Sequence, residues 1–120
     1  MPARTADDWR RVLAAPQSAV FVEVDGGGEI RGAVWAHFYD TPDDPLMVSE
    51  RRGYVDGLVV ASAHRRRGIG RALMDAAAAW AREEGAAQIV LTVWAGNAAA
   101  RAFYQRLGYG LLSEVMNKPL

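Results

Sequence analysis

Between Tyr54 and Trp94 the chain alternates in a way that leaves few folds open. An apolar, β-branched run from Arg52 to Val60 is followed by a polar, turn-like stretch from Ala61 to Arg67. Gly70 to Glu84 then sets Leu73, Ala77 and Trp80, with Met74, Ala78 and Ala81, along one helical stripe. Gly85 stands where a helix end favours a left-handed residue, and Gln88 to Trp94, QIVLTVW, reads as another strand. Strand, helix and strand in that order predict two parallel neighbours joined by a right-handed crossover.

The flanking segments extend this unit. Ser18 to Val24, SAVFVEV, and the run opened by Ile30, IRGAVWAHFY, surround the turn Asp25-Gly26-Gly27-Gly28 and predict an antiparallel hairpin. Thr5 to Ala15 carries Trp9, Val12 and Leu13 at helical spacing, with Thr5 or Asp7 as the N-cap candidate and Pro16 as the stop. Thr41 to Pro45, TPDDP, is a loop. Asn97 is placed to cap a helix from Ala98 to Leu107 that Gly108 ends, and a last strand is expected from Tyr109 to Met116. The order predicts an α/β (α+β) domain with a mixed sheet.

Bulk properties bound the function. The chain has 120 residues, the size of one domain, and its 14 Lys+Arg balance its 14 Asp+Glu. A global field that would draw in nucleic acid or an anionic membrane is therefore absent, and any basic function must be local. With no cysteine, disulfides, thiolate metal sites and cysteine nucleophiles are excluded, and two distant histidines make a metal site a poor expectation. MPARTADDWRRVL lacks the apolar core of a signal peptide, and no segment has the length of a membrane span, so a cytoplasmic protein is expected.

One basic site stands out. His64 to Arg71 reads HRRRGIGR, with four arginines and two glycines in eight residues. At a strand–helix junction, Gly68 and Gly70 let a ligand approach the backbone. The first helical turn leaves N–H groups unpaired at the positive end of the helix dipole. Arg65, Arg67 and Arg71 add charge, so the stretch can hold a phosphate or pyrophosphate. It is neither a Walker A loop nor a full GxGxxG, since Leu73 holds the third glycine position. Taken alone it also reads as a helix start with solvated arginines, or as a nucleic-acid contact, although interleaved aromatics are missing.

Two blocks in order narrow the choice. Asp56-Gly57-Leu58-Val59-Val60 precedes the glycine turn, and Asn97-Ala98-Ala99-Ala100-Arg101-Ala102-Phe103-Tyr104-Gln105-Arg106-Leu107-Gly108-Tyr109 follows it. The pairing resembles the GNAT superfamily of acyl-CoA-dependent N-acetyltransferases, from about Ser18 onward. Arg65, Gly68 and Gly70 match its Arg/Gln-x-x-Gly-x-Gly/Ala signature. Asn97, Ala100, Phe103, Tyr104, Gly108 and Tyr109 match its second block. The resemblance implies a mixed, mostly antiparallel sheet with a central splayed parallel strand pair and flanking helices. It implies acetyl-CoA as co-substrate, its pyrophosphate on backbone amides of Arg65, Arg66, Arg67, Gly68, Ile69, Gly70 and Arg71. Pantetheine would run in the splay and pair with main chain near Leu58, Val59 and Val60, as an added strand does, beside Asn97, Ala100, Phe103 and Tyr104.

Acetyl transfer needs a neutral amine, a polarised carbonyl and a stabilised leaving thiolate. A backbone N–H near Val60 is the expected polarising donor. The resemblance implies the last role for Tyr104, which also reads as a helix tyrosine packed half in the core. Asp56 is the base candidate; by two-residue alternation it shares the strand face of Leu58 and Val60, and it reads equally as a group that binds the substrate cation. His37, in WAHFY, is a second base candidate or a structural strand histidine. Trp35, Phe38, Tyr39 and the loop TPDDPLMVSE, with Asp43, Asp44 and Glu50, are expected to shape the acceptor pocket.

The sequence departs from the family at both ends. The N-terminal first strand and part of the first helical region are missing from the pattern, with seventeen residues before SAVFVEV, and one strand is expected after Gly108. Small sheets with open edges recruit a partner chain, so a homodimer is expected, with strand exchange near the C-terminus as one form. The acceptor is a small-molecule or peptide amine, with no nucleic acid and no membrane partner. A CoA-binding module without turnover and a nucleic-acid-binding domain are the rival readings.

Overall fold

A computed structural model describes residues 9–46, 48–62 and 68–120, and the backbone alone of residues 9–15. Five strands form one sheet in chain order: β1 (Trp9–Ala15), β2 (Ser18–Val24), β3 (Ile30–Asp40), β4 (Arg51–Val60) and β5 (Gln88–Val90). Helix α1 (Ile69–Glu83) joins β4 to β5, and α2 (Ala98–Arg106) follows β5. The first four strands are antiparallel neighbours; β4 and β5 are parallel. The fold is the expected mixed, mostly antiparallel α/β arrangement, but the parallel pair, expected at the centre of the sheet, lies at one end of the strand order, because no strand pairs beyond β5 among the described residues.

The β2–β3 hairpin forms because its turn satisfies its own polar groups. Asp25 Oδ1 accepts from the Gly27 and Glu29 amides at 2.8 and 2.9 Å, and Gly28 takes φ +84°. One side of the sheet, here the inner face, packs Ala19, Phe21, Val34, Ala36, Phe38 and Val55 against the apolar stripe of α1. Leu73 and Trp80 of that stripe are buried, each contributing on the order of 1.5–3 kcal/mol through burial. Gly53 lets α1 lie close, since a side chain there would meet the Ala81 methyl. Helix α1 closes at Gly85 with φ +89°, and α2 at Gly108 with φ +98°.

Three expectations are corrected. Trp9 to Ala15, read as part of a helix, is strand β1, paired with β2 across the tight turn at Pro16 and Gln17; Thr5 to Asp8 lie outside the described residues. Its apolar spacing fits a helix, but a hairpin with β2 satisfies the backbone of both segments. The strand expected over Gln88 to Trp94 stops at Val90. The strand expected over Tyr109 to Met116 does not form: Gly110 to Leu120 has no regular structure and is exposed throughout.

Candidate active site

The parting of β4 and β5 creates the site. The two strands pair only over Arg52–Gln88, Gly53–Ile89 and Tyr54–Val90. Beyond that point β4 continues to Val60 with β3 as its one strand neighbour among the described residues. Tyr54 and Thr92 bridge the start of the gap, hydroxyl to hydroxyl at 2.6 Å. A strand open along one side offers main-chain donors and acceptors to an extended ligand. The side chains of Leu58 and Val60 pack against the core, so what they can give a ligand is backbone.

At the end of β4 the chain enters α1. Gly68 is the N-cap residue, at φ +78° and ψ 7°, with no side chain closing the helix and no acidic residue in its first turn. No carboxylate of the helix's own first turn thus competes for the N-terminal donors of Ile69, Gly70 and Arg71. A side chain at Gly68 would meet open space, whereas one at Gly70 would press on the Phe103 ring 3.1 Å away and on Val60. Gly70 therefore lets α2 close on α1, a packing role beside the one read from its motif. Ile69 is buried in the core and Arg71 is exposed. His64, Arg65, Arg66 and Arg67 lie outside the described residues.

Helix α2 borders the gap on the helix side. Asn97 caps it, accepting from the Ala100 amide at 3.1 Å as its residue type predicts. Tyr104 is half-buried between Phe103 and Tyr109, with ring centroids 5.1 and 5.8 Å away. Burial raises the pKa of its phenol. Tyr109 is pushed up to about 12, chiefly by burial and also by the neighbouring Tyr104 and Asp75.

Asp56 is not where alternation places it. The β3–β4 register pairs Trp35 with Gly57 but Ala36 with Val55, leaving Asp56 as the extra residue of a β-bulge. The bulge shifts the phase, so Leu58 and Val60 pack inward while Asp56 is exposed on the outer face, away from α1. There His37 Nδ1 lies 2.8 Å from Asp56 Oδ2. The two base candidates are thus one hydrogen-bonded pair, and Asp56 and Tyr104 lie on opposite faces of the sheet.

The outer face around this pair is aromatic. The His37 ring lies 5.4 Å from that of Tyr54 and 6.0 Å from that of Tyr39. The Trp35 indole lies against Gly57, so close that no side chain fits there. Val59 is exposed. Phe38, expected in the pocket, instead points inward onto Trp80 and carries the Arg51 guanidinium 4.4 Å from its centroid. The loop acids are engaged: Asp43 accepts from Ser49, Asp44 from the Leu46 amide, and Glu50 from Gln88. The alternation of Trp35, His37 and Tyr39 on one strand was available in the sequence; the register that sets them against Tyr54, Asp56 and Gly57 was not.

Among the described residues no three His, Cys, Asp or Glu side chains gather into a metal site, and no helix is long and apolar enough to cross a membrane. A splayed parallel pair leading into an uncapped helix start defines a class of cofactor-binding α/β domain. The model of the acetyltransferase (GNAT) family matches residues 2–109, and the chain belongs to that family. It is 37% identical over 92 residues to streptothricin acetyltransferase of Streptomyces lavendulae, covering 77% of this chain and 44% of that protein. It is 35% identical over 95 residues to mycothiol acetyltransferase of Salinispora arenicola, covering 78% and 29%. The chain spans less than half the length of these curated relatives. Among solved structures, a mutant BH1408 protein from Bacillus halodurans superposes with TM-score 0.82 at 31% identity, over 88% of this chain and 67% of that one. An aminoglycoside N-acetyltransferase in complex with CoA shares the fold, with TM-score 0.75 at 20% identity over 88% and 78%. Acetyl-CoA is the co-substrate of the family.

Proposed function

We propose that the chain transfers the acetyl group of acetyl-CoA to a primary amine of a small molecule or peptide, by direct attack in a ternary complex. The observation that carries this reading is the start of α1, with no side-chain cap and no acid in its first turn, at the end of a strand whose far half has β3 as its one strand neighbour among the described residues. The residues fit the cofactor. Backbone donors from Arg65 to Arg71 would hold its pyrophosphate, with Gly68 leaving room and Arg65, Arg66, Arg67 and Arg71 adding charge. Main chain of Leu58, Val59 and Val60 would pair with pantetheine, and Asn97, Ala100 and Phe103 would wall the far side.

Bound acetyl-CoA supplies a thioester: the amine lone pair forms the C–N bond, the C–S bond breaks, and its electron pair leaves on sulfur. Asp56 as a carboxylate only accepts, so His37 donates through Nδ1 and keeps Nε2 free to take the proton the nitrogen sheds. Tyr104, on the helix side, supplies a proton to the thiolate; burial keeps its phenol protonated at neutral pH. The chain also assembles as a homodimer in this reading, supported by β5, which has a strand neighbour on one side only among the described residues, and by exposed Leu111, Val115 and Met116.

Acetyl-CoA titration with a thermal-unfolding readout tests the cofactor assignment. Saturating ligand should raise the melting temperature, since a ligand at about 100 Kd adds about 2.7 kcal/mol. Arg71→Glu, which places a carboxylate at the exposed helix start without touching the core, should abolish most of the shift. No shift with the unaltered chain overturns the reading. Thiol release with amines then tests the chemistry: Tyr104→Phe and Asp56→Asn should each lower kcat by roughly 10²-fold or more.

A further inference from the structure

Around the His37–Asp56 pair the outer face of the sheet is aromatic. Two of its features point the same way. The first is a flat apolar platform. Trp35 is 41% exposed and rests on the β4 backbone at Gly57, directly beyond the bulge. His37, two residues along β3 on the same face, is about 7 Å away by strand geometry, and beyond it stand Tyr39 and Tyr54. The second feature is sparse negative charge. Of the β3 and β4 residues on this face, Asp56 carries the only carboxylate. At the far end of the face Glu50 pairs with Arg52 at 3.7 Å, and Asp43 and Asp44 stand off β3 and β4, in the loop between them, where they accept from Ser49 and the Leu46 amide. Asp40 lies on the inner side with Arg51, 2.8 Å away.

We infer that the acceptor is an arylalkylamine: a single primary ammonium joined by a short linker to a flat aromatic group. Its ring stacks on the exposed face of Trp35, and its nitrogen reaches the Asp56–His37 pair. Tyr39 and Tyr54, whose rings stand 6.0 and 5.4 Å from that of His37, lie near the cationic form. A polycationic acceptor would bring several charges to a stretch of β3 and β4 that offers one carboxylate, and its remaining ammonium groups would lie against aromatic rings without partners there. An aliphatic amine would leave the Trp35 platform unused.

This inference rests on the acetyl-transfer reading, and its test separates the two. Thiol release is followed with acetyl-CoA and each of tryptamine, butylamine, spermidine and kanamycin. Tryptamine should show the highest kcat/KM, and Trp35→Leu should lower the tryptamine-to-butylamine ratio of kcat/KM by about tenfold, the scale of one aromatic pair. Spermidine or kanamycin ahead of tryptamine, or an unaltered ratio in Trp35→Leu, overturns the inference and leaves acetyl transfer standing. Ring stacking needs no cofactor, so a second readout follows the Trp35 indole N–H resonance, assigned by its loss in Trp35→Leu, as tryptamine is added. A saturable shift that butylamine does not reproduce supports the inference even where no amine turns over; an unmoved resonance overturns it.

Discussion

At the residue scale, the sharpest constraints are two close approaches of backbone to ring, Gly57 to Trp35 and Gly70 to Phe103. At Gly57 a methyl group would overlap the Trp35 indole. Gly57→Ala should therefore cost about 1–3 kcal/mol of stability through overpacking, and most of that cost should vanish in a Trp35→Ala background. Urea unfolding of the four members of this double-mutant cycle measures the coupling, and additive effects would show that the ring does not rest there. Tyr109 offers a second residue-level outcome. Its phenol is held near 12 in the folded chain against an ordinary value of 10.0. Between those values the unfolded chain has lost the proton and the folded chain keeps it, so stability falls as pH rises from 10 toward 12. Denaturant midpoints across that range should drop, and less steeply in Tyr109→Phe.

Elements were legible in the sequence where their ends are built locally. Asn97, Gly85 and Gly108 mark helix boundaries with their own chemistry, and the structure uses each in that way. Removing the cap should cost about 1 kcal/mol in Asn97→Ala, with amide exchange accelerated in α2 and unchanged in α1. Asn97→Asp keeps the capping oxygen, so retained stability with weakened acetyl-CoA binding would identify a ligand role for the amide nitrogen. Strands were less legible, because a strand is completed by its neighbour. Trp9, Val12 and Leu13 fit a helix by spacing, yet β2 lies close enough in sequence to capture them. Leu111 to Met116 has strand-like composition but pairs with no strand among the described residues. The phase of Asp56 depends on the β3–β4 register, which residue spacing within β4 does not encode. The glycine turn and the second motif were readable as sequence; the union of His37 with Asp56 was not, since 19 positions separate them.

At the scale of the whole molecule, the helices and the core occupy one side of the sheet, and the His37–Asp56 pair lies on the other. The C-terminal stretch leaves Leu111 at 78% and Val115 at 98% exposure, an apolar surface of the kind that a second chain covers. Sedimentation should show a dimer at micromolar concentrations, and Leu111→Lys combined with Val115→Lys should return a monomer with α1 and the core intact by near-ultraviolet circular dichroism. A single monomeric species at all concentrations would remove the dimer from the account.

The bulge at Asp56 also changes how this strand is to be compared with any other. A strand without it carries its period of two unbroken from Gly53 to Val60; here the beat slips by one at the fifty-sixth residue. Tolerance to substitution along β4 should oscillate with one parity up to Val55 and the opposite parity from Leu58. An alignment that places the gap before Asp56 would set the carboxylate against an inward-facing position of a bulge-free strand, and would count as a lost residue what is a displaced one; a gap at Gly57 keeps it outward.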